Sequence, residues 1–329
     1  MRDNKIDYVR ALCSLTVIIA HVSAPAWIND IRSFDVVALV LISGMSLIHT
    51  SNDSYSVYLW KRVKKLFIPT ALMMIAVFSG SYLACRLLSI HQLYSSSQIY
   101  RSFLLLNEGS MGYVWIVRVY LVIALLSPIV RKLAIKIKSF VMFVIVNAAS
   151  VALAFGLKAA LNSIPVGLGH TILMDWVYSG FVYSIIAFDG MWVISNKSIM
   201  PQLTVLSGLL FVLVTVCLSV EAGHFIFDPS SYKFPPRFYY CIYGIMVGLL
   251  LYIIFPQKRN AVARWVSNHS FSVYLWHIIL LHAYGVTVKV PALSFLDNYW
   301  IIKYFVVTGG SIAFVAIVDY SYKRIKKVK

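Results

Sequence analysis

The chain has 329 residues, of which 60% are hydrophobic and 12% charged, with 29 Lys and Arg against 12 Asp and Glu. Soluble domains carry about a quarter charged residues, so this composition excludes an ordinary soluble protein. Apolar runs of roughly 20 residues recur along the chain, and such a run spans a bilayer as a helix. We therefore predict an all-α, polytopic membrane protein.

Ten transmembrane helices are predicted in chain order. They cover about 7–28, 33–50, 66–90, 113–130, 140–157, 171–193, 201–221, 237–255, 271–289 and 300–320. No Pro/Gly/Ser-rich linker divides the chain, so we expect a single domain over residues 1–329. Roughly two thirds of the Lys and Arg lie on one side, which the positive-inside rule makes cytoplasmic for both termini. This topology, together with attraction to anionic lipid headgroups, explains the net charge of +17, so the charge does not indicate nucleic-acid binding.

The N-terminal segment has a charged start like a signal peptide, but Arg10 interrupts its apolar part. We therefore expect it to remain as the first helix. The four cysteines form no CxxC pair, so neither a disulfide framework nor a metal site is expected.

Two ionisable residues of the first helix, Arg10 and His21, are predicted to share one face. Eleven residues of α-helix turn through about 1,100°, only about 20° past three full turns, and rise roughly 16 Å. Ionisable groups in a bilayer are costly and usually face a cavity or a partner. A histidine can take a proton from a hydroxyl, although a structural histidine bonded across helices is the alternative. We expect this face to line a polar channel.

The second helix begins with Asp35 and contains Ser43 and Gly44. Asp35 is predicted to lie at a depth close to His21, where a carboxylate could orient the imidazole. A plain helix start at headgroup level is the alternative. Ser43 and Gly44 are small, and we expect them to allow close approach of another helix.

A basic run, YLWKRVKKLFIP at 58–69, precedes the third helix. Its Lys61, Arg62 and Lys65 suit a ligand that bears phosphates, with ordinary positive-inside charge as the alternative. Tyr274 and His277, at the start of the ninth helix, are three residues apart and share a face. We expect them to line the inner vestibule near Arg10, unless they only form interhelical hydrogen bonds.

Aromatic and cationic residues also gather on the predicted outer side. Tyr113, Trp115 and Arg118 open the fourth helix, where aromatic faces suit sugar rings and Arg118 suits an anion, or snorkels to the interface. The outer loop carries Lys233 and Arg237 beside a rigid Pro-Pro step. This loop either recognises an anionic or glycan acceptor or caps the bundle.

Together these motifs resemble the integral-membrane acyltransferases of the acyltransferase-three family. The residues that carry the resemblance are Arg10-x10-His21, Ile42-Ser43-Gly44, Lys61-Arg62…Lys65-Leu66…Pro69, Tyr113-Val114-Trp115 and Ser270…Tyr274-Leu275-Trp276-His277. The chain looks most like the bacterial O-acetyltransferases that modify O-antigen, the lipopolysaccharide side chain, and other surface polysaccharides.

The resemblance implies transfer of an acetyl group from cytoplasmic acetyl-CoA, a co-substrate, to a hydroxyl of a lipid-linked glycan at the bacterial inner membrane. It implies that His21, as general base or transient acyl carrier, and Arg10 are essential, and that Arg62 and its basic neighbours lie near the donor. No permanently bound cofactor is expected. A transporter or flippase of polyprenyl-linked glycans is the alternative, because intramembrane charges suit that function equally well. The sequence leaves the oligomeric state open, a homo-oligomer included.

Overall fold

A computed structural model describes residues 2–48, 54–87, 89, 91–107, 111, 113–288 and 291–328. The chain is all-α. Its helices are α1 (Asn4–Ile19), α2 (Ala26–Arg32), α3 (Asp35–Leu47), α4 (Tyr55–Leu87), α5 (Ser96–Phe103), α6 (Trp115–Lys136), α7 (Phe140–Asn162), α8 (Leu168–Ser195), α9 (Met200–Ala222), α10 (Phe238–Ile254), α11 (Ala261–Thr287) and α12 (Trp300–Val328). A π-helical turn at Leu173–Tyr178 interrupts α8.

Each predicted segment overlaps one longer helix, and the short helices α2 and α5 were not predicted. The N-terminus packs beside the α8–α9 connection and the end of α10, because Asp3 accepts a hydrogen bond from Tyr252 (2.6 Å) and forms an ion pair with Lys197 (3.3 Å). His269 lies 3.5 Å from Asp319 of α12. We call this the termini end. The opposite end, with residues 223–237, is the loop end.

Among the described residues, five helices are long and apolar enough to cross a membrane: α4, α7, α8, the segment Lys197–Ala222 that contains α9, and α12. Helices α7, α9 and α12 leave most of their apolar side chains exposed on the outside of the bundle. Exposed apolar helices of this length match the hydrocarbon layer of a bilayer. The fold is therefore that of a multi-pass membrane protein.

Helix α4 corrects the prediction of a basic connection before residue 66. It starts at Tyr55 and continues through Pro69 to Leu87, over 33 residues. The part after Pro69 is roughly 28 Å long and matches a hydrocarbon core of about 30 Å. The basic run with Arg62 and Lys65 is thus the first part of this helix and not a connection before it.

Helix α1 is shorter than predicted, and so is α3. Helix α1 ends at Ile19, and residues 20–22 close a tighter turn with bonds to the carbonyls three residues back. Ser23 adopts a positive φ of 61°, and Pro25 then begins a new direction because it lacks an N–H donor. Helix α3 has 13 residues and lies almost wholly inside the bundle, so it needs no lipid-facing length.

Helix α11 begins ten residues earlier than predicted. It starts at Ala261, where the side chain of Asn260 accepts a hydrogen bond from the backbone N–H of Ala263 (2.9 Å). An asparagine in this position satisfies an orphan donor of the first turn. Tyr274 and His277 therefore lie in the middle of the helix and not at its entrance.

The crossing of α3 and α8 depends on two glycines. A Cβ on Gly44 would overlap the backbone carbonyl of Ala187, and a Cβ on Gly190 would overlap the carbonyl of Leu41. The two backbones therefore touch, as helices do where small residues meet. This confirms the close helix approach predicted at Gly44.

We expect Gly44→Ala to destabilise the protein, because a backbone carbonyl cannot move aside without displacing α8. Overpacking of this kind costs about 1–3 kcal/mol. The measurement is the fraction of monodisperse protein that survives heating in detergent. Gly80→Ala is the matched control, since nothing lies within 4 Å of a Cβ there. Equal heat resistance of the two variants would contradict the packing argument.

Candidate active site

Helix α1 packs along α11, and two contacts ten residues apart on α11 fix their alignment. Arg10 donates a hydrogen bond to Ser267 (3.5 Å), and the His21 ring stacks on His277 with centroids 5.5 Å apart. Ten helical residues rise roughly 15 Å. Arg10 and His21 therefore both face α11 at two depths, although α1 ends before His21.

A cavity of about 350 Å³ opens around Arg10. Arg62, Lys65 and Tyr274 line it together with Arg10, so four predicted donor-binding residues meet in one space. The remaining polar lining consists mainly of hydroxyl groups and one amide, from Ser14, Ser43, Ser46, Tyr58, Tyr120, Ser267, Asn268 and Ser270. A cavity with three cations and many hydroxyl groups suits a ligand that carries phosphates.

Neutral serines hold the Arg10 guanidinium in place. It donates to Ser46 (3.0 Å) and to Ser267, and Ser267 in turn donates to the carboxylate of Asp7 (2.7 Å). Arg2 neutralises Asp7 through a 2.6 Å ion pair. Among the described residues Arg10 has no ion-pair partner of its own, so its charge remains available for an anion.

Two residues predicted to bind the donor lie elsewhere. Lys61 is on the exposed side of α4, outside the wall of the cavity, because it is one residue out of register with Arg62. His277 is fully buried one turn beyond Tyr274, and its Nδ1 contacts the carbonyl of Tyr274. His277 thus belongs to the surroundings of His21 and not to the vestibule.

His21 lies in a pocket of aromatic rings. The rings of Tyr113 and His21 meet nearly at right angles with centroids 4.6 Å apart, and the ring of His277 stacks on His21 at 5.5 Å. Across the described part of the chain, no group forms a hydrogen bond with the imidazole of His21. A neutral imidazole in this setting keeps one lone pair ready to accept a proton.

Asp35 does not contact His21. Its carboxylate is completely buried, pairs with Arg32 at 2.6 Å and accepts a hydrogen bond from the backbone N–H of Val36. Both carboxylate oxygens are therefore engaged. The predicted role of Asp35 in orienting His21 remains a prediction, without a direct contact to support it.

Lys233 and Trp115 meet at the loop end of the bundle. The Lys233 amine lies 5.2 Å from the centre of the Trp115 ring, and Phe234 packs edge-on against the same ring at 5.0 Å. The pKa of Lys233 is lowered to about 8, mainly by burial, with Asp35 opposing the shift and Arg32 adding to it. The charges of Lys233 and Arg32 also act on His21, which links this corner to the histidine.

Arg118 has a structural partner in place of a predicted ligand. It is 1% exposed, forms a 3.1 Å ion pair with Asp175 and donates to the carbonyl of Leu105. Asp175 also accepts two hydrogen bonds from Asn107. This network ties the segment before α6 to the π-helical turn of α8, so we assign Arg118 to the fold and not to acceptor binding.

Arg237 lies apart from the His21 pocket. It is exposed, covers the ring of Tyr232 at 5.5 Å and lines a second, larger cavity. Lys233 and Arg237, predicted as one recognition surface, therefore face different spaces.

His282 and Tyr94 also lie near the His21 pocket, although the sequence did not predict them as site residues. His282 accepts or donates a 2.9 Å hydrogen bond with the Tyr94 hydroxyl, and its ring lies 6.0 Å from Tyr113. The only signal was a second histidine five residues after His277, which is off the shared face in a regular helix. Within the described residues, no group of three or more His, Cys, Asp or Glu side chains is placed to bind a metal ion.

A family model described as an acyltransferase domain matches residues 3–320. Comparison with curated proteins and with solved structures gave no match. The match covers both the cavity around Arg10 and the pocket of His21. The chain is an acyltransferase of the acyltransferase-three family.

Proposed function

We propose that this acyltransferase moves an acetyl group from acetyl-CoA to a sugar hydroxyl of a lipid-linked surface glycan, such as O-antigen. The observation that carries the proposal is the alignment of α1 with α11. It connects a cation-lined cavity to an imidazole with free nitrogens, over roughly 15 Å. The family supplies the acyl chemistry.

The donor enters from the termini end in this proposal. The phosphates of acetyl-CoA bind Arg10, Arg62 and Lys65, and the flexible arm extends along Ser14 and Val17 of α1 toward His21. Ten crossings would place both termini and the cationic cavity in the cytoplasm of the bacterial inner membrane, in accord with the distribution of basic residues.

His21 acts on the acceptor. It removes the proton from the sugar hydroxyl while that oxygen attacks the thioester carbonyl, and coenzyme A leaves as the thiolate. A transient acetyl-imidazole uses the same lone pair of His21, and rapid quenching of the enzyme with labelled donor alone separates the two routes. Tyr113 offers an aromatic ring to the sugar beside His21, and Trp115 holds Lys233, which offers a cation.

The direct test is turnover by purified protein with labelled acetyl-CoA. We expect transfer to a lipid-linked glycan and slow hydrolysis of the thioester in its absence. A protein that only moves polyprenyl-linked glycans across the membrane would do neither. Mass and NMR analysis of surface polysaccharide, with and without the protein, identifies the modified hydroxyl.

We expect Lys233 to set the alkaline limit of the reaction. With a pKa of about 8 its amine is charged below pH 8 and neutral above it, so binding of an electron-rich acceptor weakens as the pH rises through 8. Lys233→Arg keeps the charge and should move the decline of kcat/KM for the acceptor to higher pH. Lys138→Arg, at an exposed position, is the control. An alkaline limb that is identical in wild type and Lys233→Arg would contradict this role.

A further inference from the structure

A second cavity, of about 860 Å³, lies on another side of the bundle, among α7, α8, α9 and α10. Helix α7 packs on α8, and α9 packs on α10, so the space lies between two helix pairs. Its wall is almost entirely apolar, as shown by Phe155, Ile186, Leu210 and Ile245. None of the residues around Arg10 and His21 lines it.

Charge is distributed unevenly along this cavity. Lys158 and Arg237 line its loop end, whereas Asn147 and Asp189 line the wall toward the termini end. Eleven residues of α7 separate Asn147 from Lys158, a rise of roughly 16 Å. That depth is about half the hydrocarbon core of a bilayer, the thickness of one leaflet. A cavity of this form fits a lipid chain with an anionic group at the loop end.

The same loop borders both spaces. Pro236 and Arg237 line the large cavity, and Pro236 is anchored there by a hydrogen bond from Tyr178 to its carbonyl (3.2 Å). Lys233, four residues before Arg237, lies against Trp115. A molecule with its anionic group at Arg237 therefore lies beside the loop that also carries Lys233. This continuity favours the lipid that carries the acceptor over bulk phospholipid.

We propose that the cavity among α7, α8, α9 and α10 binds the hydrocarbon chain of the lipid-linked acceptor, with its phosphate between Lys158 and Arg237. The proposal rests on the acetyl-transfer function above and adds the site of the carrier. The two cations complement a phosphate, and the lipid chain fills a space that two largely lipid-exposed helices leave open.

The binding test uses a polyprenyl phosphate with a diazirine on its chain, applied to the purified full-length protein. Photolabelling should map to α7 and α9 and fall at least tenfold in Leu210→Trp or Ala152→Trp, which fill the cavity from opposite walls. Val216→Trp and Leu153→Trp place the same bulk on exposed sites of the same helices and should label as wild type. Two separate filling variants guard against misfolding, checked by monodispersity.

The charge test compares wild type with the Lys158→Gln/Arg237→Gln double variant, with Lys132→Gln as the exposed control. We expect at least tenfold weaker labelling in the double variant alone. Phosphatidylglycerol should compete poorly with the probe. Equal labelling in all variants, or equal competition by phosphatidylglycerol, would overturn the proposal in favour of a general lipid-contact surface.

Measurements of acetyl transfer distinguish a failure of the lipid site from a failure of the proposed function. In wild type, specific labelling without any acetyl transfer would refute the function and leave the lipid site intact. Conversely, undiminished transfer to a lipid-linked acceptor in Leu210→Trp would refute the lipid site and leave the function intact. The expected result is transfer in wild type and in Val216→Trp, with a loss of at least tenfold in Leu210→Trp.

Discussion

Replacing His21 with alanine is expected to lower acetyl transfer by about 100- to 10,000-fold, the usual contribution of a general acid–base group. The reason is that His21 offers an imidazole without hydrogen-bond partners among the described residues, between Tyr113 and His277. The measurement is transfer from labelled acetyl-CoA by purified protein at matched amounts. Glutamine at the same position keeps a polar group of similar size but has no basic nitrogen, so it should fail as well.

His224→Ala is the matched control for His21, because His224 is an exposed histidine in the connection between α9 and α10. It should insert, accumulate and transfer acetyl groups as wild type does. The His21 variants should also insert and accumulate normally, which separates lost chemistry from lost folding. Normal acetylation in His21→Ala would refute the mechanism at its central residue.

Replacing Arg10 with alanine is expected to raise the KM for acetyl-CoA by about 10- to 100-fold, since a hydrogen bond to a charged group is worth about 1.5–3 kcal/mol. Arg10 is one of the three cations that line the cavity, and its guanidinium is held by Ser46 and Ser267. Initial rates over a range of acetyl-CoA concentrations measure the effect. Arg10→Lys retains the charge without the fork of donors and should give an intermediate value.

The control for Arg10 is Arg259→Ala, an exposed cation of the α10–α11 connection. It should leave the dependence on acetyl-CoA unchanged at every salt concentration. An Arg10→Ala enzyme with the wild-type KM would remove this residue from the donor site. The proposal for His21 would survive that outcome, because the two residues lie at opposite ends of the aligned face.

The parts of the site that sequence could predict are those set by helical periodicity. Arg10 and His21 both face α11, as their spacing indicated. Arg62 of the basic motif lines the same cavity as Arg10. Apolar runs were sufficient for the longer helices. Helical periodicity depends only on the local backbone, so it is the same whichever other helix packs against that face.

The partners of the buried charges were not predicted from the sequence. Asp35 pairs with Arg32, which belongs to a short helix that was not predicted, and Arg118 pairs with Asp175 across the bundle. In each case the partner of the buried charge lies outside its own predicted helix, and a buried charge without a partner is costly. The predicted ends of α1 and α4 were wrong for another reason, which is that proline has different effects in different places. Pro25 precedes a new helix with a new direction, whereas Pro69 is accommodated inside α4.

The length of α4 has a consequence for how the reactants arrive. Its first 14 residues, up to Ile68, carry Arg62 and Lys65 and pack on α6, where Tyr55 donates a hydrogen bond to the carbonyl of Leu125 (2.8 Å). In the proposed reaction, a water-soluble, highly charged donor therefore meets cations that are already held on a helix. Salt screens the attraction between this reactant and the cations, whereas the arrival of a partner that diffuses in the bilayer does not depend on ionic strength. Ionic strength thus becomes a control over one reactant alone, through the cations that α4 holds at the cavity.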